Sequence, residues 1–135
     1  VYMPHPVSRQ ALDDPRVITA TRSGADPLFT ADYVITDYST VMYEAGLMGV
    51  PVYLYAYDWD TYHEKRSFNI DLARDVPTLF TDDAAAIVTA IELGQFNEQA
   101  FARFTESNIA TLAGESATQH LTRHIIALAE EQPPR

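Results

Sequence analysis

The sequence has no cysteine, which excludes disulfides, thiolate metal sites and cysteine nucleophiles together. It also lacks any apolar run approaching the roughly 20 residues that span a bilayer. The longest run, Val50 to Tyr57, is strand-length and is interrupted by Pro51. Glycine is sparse, at five residues, and forms neither a P-loop nor a dinucleotide fingerprint, which argues against P-loop NTPases and NAD enzymes. Positive charge is scarce too. Nine Lys and Arg face nineteen Asp and Glu, for a formal net charge of -10. Such a surface repels both the nucleic-acid backbone and anionic lipid, so neither is an expected partner of this chain. No internal repeat or low-complexity stretch is visible, and no signal peptide is expected at its start.

What is present points to one packed domain. Of 135 residues, 47% are apolar and 21% charged, a balance that supports a core rather than disorder. Val1-Tyr2-Met3 reads as a strand already under way, with no initiator methionine, and the expectation is a truncated domain of a larger protein.

Strands are expected at Val1–Met3, Arg16–Thr19, Tyr33–Thr36, Pro51–Tyr55 and Thr78–Phe80. The Tyr33–Thr36 run is uniformly apolar or β-branched, as in a strand buried on both faces. A short helix with proline in its first turn fits residues 27–31. From Thr40 the apolar residues Val41, Ala45 and Met48 fall at helical spacing, with a stop at Gly49. Residues 56–77 read as a long loop or a short irregular helix. Thr81-Asp82 is a good N-cap pair for a helix ending at Gly94. Another helix is expected from Phe96 to about Leu112, with Phe101, Phe104, Ile109 and Leu112 close to one face. Ser116 to Gln119 makes a capping box for a last helix ending near Glu131. This alternation predicts an α/β, Rossmann-like three-layer domain with a parallel sheet. The motif-bearing α/β part is residues 1–80 and a helical C-terminal part follows over 81–135, packing on the sheet or crossing to a neighbouring domain.

Between a predicted strand and a predicted helix lies a polar knot, Asp37-Tyr38-Ser39-Thr40. Ligands of open parallel sheets bind beyond the C-terminal strand ends, near helix starts whose N–H groups suit a phosphate. Ser39 and Thr40 add hydroxyl donors there. Asp37 would repel a phosphate directly, and suits orienting the loop or holding a ribose hydroxyl. The competing account is that these residues only cap a helix. Chemistry alone leaves both open.

Several separated motifs carry a family resemblance: "MPHP", "ADYVITDYST", "GVPVYLYAYD" and "YHEKRSFNIDL". Their order and spacing over roughly residues 1–80 resemble the C-terminal nucleotide-binding domain of the CDP-glycerol glycerophosphotransferases, the teichoic-acid primases and polymerases of the bacterial cell wall. The resemblance implies the C-terminal half of a GT-B architecture, with CDP-glycerol held in the cleft between two domains. An acceptor hydroxyl would attack the β-phosphorus and release CMP. It further implies that His5 contacts the diphosphate and that Ser39 and Thr40 cradle it. Asp37 and Glu44 would hold glycerol or ribose hydroxyls, and Arg66 would supply positive charge. No cofactor is implied beyond the donor substrate.

The chain departs from the family pattern in places. Met3 stands where lysine is common, and "RSFNIDL" lacks the family's glycine and tyrosine after the arginine. The His-Gly-Thr-Pro-Leu-Lys segment, which the resemblance associates with the catalytic base, does not occur in the chain. The expectation is therefore no catalytic residue here, a binding role completed by an N-terminal domain, and little activity alone. By resemblance the parent is cytoplasmic, peripheral on the inner face of the membrane. Two rivals remain, a nucleotide-sugar GT-B glycosyltransferase and a nucleotide-binding domain without catalysis.

Other candidates carry bland readings. His120 and His124 lie four apart on a helix but lack a third ligand, and no metal is assigned. Asp13-Asp14, Asp58/Asp60 and Asp82-Asp83 suit turns and caps better than a cation. Tyr53 and Tyr55 alternate as strand residues do, whereas Tyr57, Asp58 and Trp59 lie past the strand end, where they could line a cleft.

Overall fold

The computed structural model describes residues 1–4, 12–19, 26–109 and 114–130. Three short parallel strands form its sheet: β1 (Val34–Thr36), β2 (Val52–Tyr55) and β3 (Phe80–Thr81), in the order β1-β2-β3. Val34, Ile35 and Thr36 lie opposite Val52, Tyr53 and Leu54, and Leu54 and Tyr55 lie opposite Phe80 and Thr81. The central strand reads Val-Tyr-Leu-Tyr and is almost wholly buried, as a strand flanked by helices requires.

Period-two geometry sends alternate residues of β2 to opposite faces. Val52 and Leu54 enter a core with Met42, Ala45, Leu72, Phe101 and Phe104. Tyr53 enters a smaller one with Ile87 and Ala90. These partners come from α1 (Val41–Leu47), α3 (Leu72–Asp75) and α5 (Glu98–Asn108) on one side and α4 (Ala84–Glu92) on the other. Helices therefore cover both faces of the sheet. Helix α2 (Trp59–His63) follows β2, and α6 (Ala117–Glu130) ends the described chain.

Several boundaries differ from the sequence expectations. The predicted strands at Val1–Met3 and Arg16–Thr19 reduce to one parallel bridge between Tyr2 and Thr19, with the Tyr2 N–H donating to the Ile18 carbonyl at 2.8 Å. Strand β1 is not buried on both faces, because it is the edge of the described sheet and Ile35 remains 49% exposed. The predicted helix at 27–31 is a 3-10 turn over Asp26–Thr30, and the last strand falls at Phe80–Thr81 rather than Thr78–Phe80. Residues 56–77 hold two short helices, α2 and α3.

The cap of α4 is Asp83, not the Thr81-Asp82 pair. The Asp83 carboxylate accepts from the Ala85 N–H at 2.8 Å, while the Thr81 hydroxyl accepts from the Asp83 N–H at 3.1 Å. Helix α5 starts two residues later than predicted, because Asn97 accepts from the Ala100 N–H at 3.0 Å and leaves Phe96 outside. The predicted end near Leu112 lies outside the described residues. Capping of α6 follows the prediction: Ser116 Oγ accepts from the Gln119 N–H at 3.2 Å, and Gln119 Oε1 accepts from the Ser116 N–H at 2.8 Å. This helix buries no residue, whereas residues of α4 and α5 pack into the two cores on either side of β2.

Helices α1 and α5 approach closely at Gly46. A Cβ there would collide with Thr105 Oγ1 and lie 2.9 Å from Phe101 Cε1. Gly46→Ala is therefore expected to destabilise by about 1–3 kcal/mol through overpacking, although alanine is the better helix former by ~1 kcal/mol. Urea denaturation of Gly46→Ala, Thr105→Ala and the double variant checks this. A cost that shrinks beside Thr105→Ala locates the strain in this contact; a stabilised single variant would refute it.

Candidate functional site

The polar knot sits at the C-terminal end of β1, with Thr36 closing the strand and Val41 opening α1. Beside it opens a cavity of about 610 Å³. Its lining takes in residues 27, 28 and 30–33, all of β1, then Asp37, Ser39 and Val41, with Tyr55 and Tyr57 from the end of β2 and Val1 to Met3. It runs along the edge strand β1, from residues 27–33 before the strand to the loop at its C-terminal end, the end at which open parallel sheets hold their ligands.

The predicted site residues divide into groups. Asp37 and Ser39 are exposed and on the cavity wall, and Thr40 follows at the first position before α1. Glu44 occupies the first turn of α1 and does not line the cavity. Arg66 is exposed beyond α2, outside the cavity lining, with its N–H donating to the Tyr62 carbonyl at 3.1 Å. It makes no ion pair among the described residues. His5 lies outside the described residues.

Geometry separates these hydroxyls from ordinary caps. Thr40 stands at the N-cap position of α1, yet its backbone is already helical and its side chain makes no capping bond. Ser39 Oγ accepts from the Val41 N–H only at 3.4 Å, near the limit of a hydrogen bond. The caps of α4 and α5, by contrast, are 2.8 Å and 3.0 Å long. Ser39, on the cavity wall, and Thr40, next to it but outside the lining, therefore keep hydrogen-bonding capacity in hand.

Tyr38 faces the other way. Its phenol donates to Asp58 Oδ1 at 3.0 Å, and its ring packs on Trp59, Tyr62 and Phe68, with centroids 5.2, 4.5 and 6.0 Å away. Burial, then the bond to Asp58, pushes the phenol's pKa above the usual tyrosine value, so it remains a protonated donor at neutral pH. Asp58 precedes α2 at the N-cap but makes no side-chain cap; its carboxylate serves Tyr38 instead. The sequence grouped Tyr57, Asp58 and Trp59 as cleft residues. Only Tyr57 lines the cavity, while Trp59 packs against Tyr38, Phe68 and Phe80. The Tyr38–Asp58 bond was missed because it spans twenty residues and leaves no periodic trace.

The acid pairs have other partners. Asp14 accepts from the Arg16 guanidinium at 2.9 and 2.6 Å, which holds its carboxyl below the usual range. His120 Nδ1 lies 2.8 Å from Glu115, which Arg123 also engages. Among the described residues no three His, Asp or Glu side chains converge as a metal would require.

A sequence profile for CDP-Glycerol:Poly(glycerophosphate) glycerophosphotransferase matches residues 2–126. The chain belongs to that family. It is 28% identical over 106 residues to a teichoic acid poly(ribitol-phosphate) polymerase of Bacillus spizizenii, a match covering 78% of this chain and 17% of the relative. It is 34% identical over 69 residues to a teichoic acid glycerol-phosphate transferase of Staphylococcus aureus, covering 50% of this chain and 18% of that one. The fold is similar to that of the wall teichoic acid polymerase TagF, with TM-score 0.55 and 22% identity over 82% of this chain and 28% of TagF. This family member thus spans less than a fifth of those two relatives' length.

The distinction between caps and cavity hydroxyls is measurable. Asp83→Ala and Asn97→Ala are expected to cost about 1 kcal/mol each. Ser39→Ala and Thr40→Ala are expected to stay within about 0.5 kcal/mol of the parent. Equal losses in denaturant titrations of all four variants would make the knot an ordinary helix cap.

Proposed function

We propose that this chain is the donor-binding part of a CDP-glycerol, or related CDP-polyol, phosphotransferase of teichoic-acid-like polymer synthesis, the C-terminal half of a GT-B enzyme. The observation that carries the reading is the cavity along β1 that reaches the loop at its C-terminal end, where Asp37 and Ser39 line it and the Ser39 hydroxyl is little used in capping. Family membership supplies the chemical class.

In this reading Ser39 and Thr40 donate hydroxyl and backbone hydrogen bonds to the donor's diphosphate. Arg66 and His5 add donors that favour the anion. Asp37 and Glu44 accept from glycerol or ribose hydroxyls. The acceptor's hydroxyl oxygen forms a bond to the β-phosphorus as the bond to the CMP oxygen breaks, and CMP leaves with that electron pair. The hydroxyl proton passes to a base outside this chain, since the His-Gly-Thr-Pro-Leu-Lys segment is absent from the sequence. The chain's contribution is binding and electrostatic stabilisation of the phosphoryl oxygens, with no turnover alone.

A glycosyltransferase would place a nucleotide-sugar's diphosphate at the same strand end, so donor choice separates the two. Calorimetric titration with CDP-glycerol, against CMP, glycerol phosphate and UDP-glucose, is expected to show saturable binding that prefers CDP-glycerol. Ser39→Ala and His5→Ala are expected to weaken it about tenfold each, the scale of one hydrogen bond to a charged group. A preference for UDP-glucose would transfer the reading to glycosyl transfer. Affinity unchanged in both variants would remove the knot from the site.

A further inference from the structure

The loop after β1, which presents Ser39 to the cavity, and the segment after β2, which leads to Arg66, are joined at one point. Tyr38, adjacent to Ser39, donates to Asp58 at 3.0 Å. Its ring packs on Tyr62, tilted by 35° at a centroid distance of 4.5 Å, and the Tyr62 carbonyl accepts the backbone N–H of Arg66 at 3.1 Å. Asp58 also carries the backbone of α2, its carbonyl accepting from Thr61 at 3.1 Å and Tyr62 at 2.9 Å. A carboxylate at an N-cap position ordinarily accepts from its own helix. Here it is turned to a phenol on another loop. Trp59 and Phe68 close around that contact, which screens it from water and strengthens it.

We propose that Tyr38 and Asp58 are positioning residues: their hydrogen bond, with Tyr62 packed against the phenol ring, fixes Ser39 and Thr40 relative to Arg66 so that both loops engage one diphosphate. The inference rests on the donor-binding reading for its purpose, but the coupling between the loops is a property of the chain itself. Neither side chain lines the cavity, so neither is a ligand-binding group. Their effect on binding passes through Ser39 and Arg66.

Hydrogen exchange of the chain tests the coupling without a ligand. In Tyr38→Phe and in Asp58→Asn, the amides of Met42 and Tyr43 and those of Thr61, Tyr62 and Arg66 are expected to exchange about tenfold faster, the scale of one lost hydrogen bond. The double variant is expected to go no further than the faster single, because both changes remove one bond. Amides of α4 and α5 are expected to keep their rates. Acceleration on only one side of the bond, or uniformly across all helices, would overturn the proposal and leave a purely stabilising contact.

A parallel titration with CDP-glycerol separates this from the functional reading. Each single variant is expected to bind about three- to tenfold more weakly than the parent. Combined with Ser39→Ala, Tyr38→Phe is expected to add less than it costs alone. Unchanged affinity beside altered exchange refutes the positioning role. If the parent fails to bind CDP-glycerol, the donor reading falls, and the exchange pattern still decides for or against the coupling.

Discussion

The structure depends on the burial of β2 from both sides. A strand with helices over both faces has to be apolar at every position, because a polar side chain on either face would lose its water without a partner. Val52, Tyr53 and Leu54 meet that demand, at 0%, 3% and 0% exposure. Their alternation divides the interior into two cores. The neighbouring strands are shorter and less buried, so they depend on β2 for their ladder bonds. Even the approach to β3 is tied to it, since the Thr78 hydroxyl donates to the Val52 carbonyl.

That constraint decides where chemistry is possible. Side chains along β2 are committed to packing, so only the strand ends can carry polar groups toward solvent. At the β1 end the chain moves from Thr36 to Val41 in four residues. Of these, Tyr38 turns inward to an aromatic cluster while Asp37 and Ser39 stay on the cavity wall. One inward residue between two outward ones anchors the loop and leaves its neighbours on the cavity wall. At the β2 end Tyr55 and Tyr57 stay with the cavity, and Asp58 and Trp59 join the anchor.

Legibility in the sequence follows the range of the interaction. The α1 stop at Gly49, with φ of 71°, and the reciprocal cap of α6 are local and were readable. The shift of a cap from Thr81-Asp82 to Asp83 is also local, but several good capping residues stand in a row and only the strand's end selects one. The exposure of Ile35 depends on which strand lies beside β1, which no run of four residues encodes. Likewise the close approach at Gly46 exists only because α5 lies against α1, which the local sequence does not encode. The knot itself was found from its position and its motif neighbours. Tyr38's partner was not, because a phenol and a carboxylate twenty residues apart have no pattern to betray them.

On the donor-binding proposal, the acidity of the chain constrains how a diphosphate is held. With nineteen acids against nine bases, long-range attraction cannot draw the donor in, and at physiological salt such fields fade over roughly 8 Å. Recognition must then be short-range, through hydroxyl and backbone donors that add no net charge, with arginine at the margin. Such donors gain affinity only when held in the right geometry, since each contributes little alone and a misplaced one contributes nothing. A cationic site would tolerate a loose loop, whereas a largely neutral one needs a rigid loop. On that proposal, the aromatic anchor around Tyr38 is the counterpart of the missing positive charge.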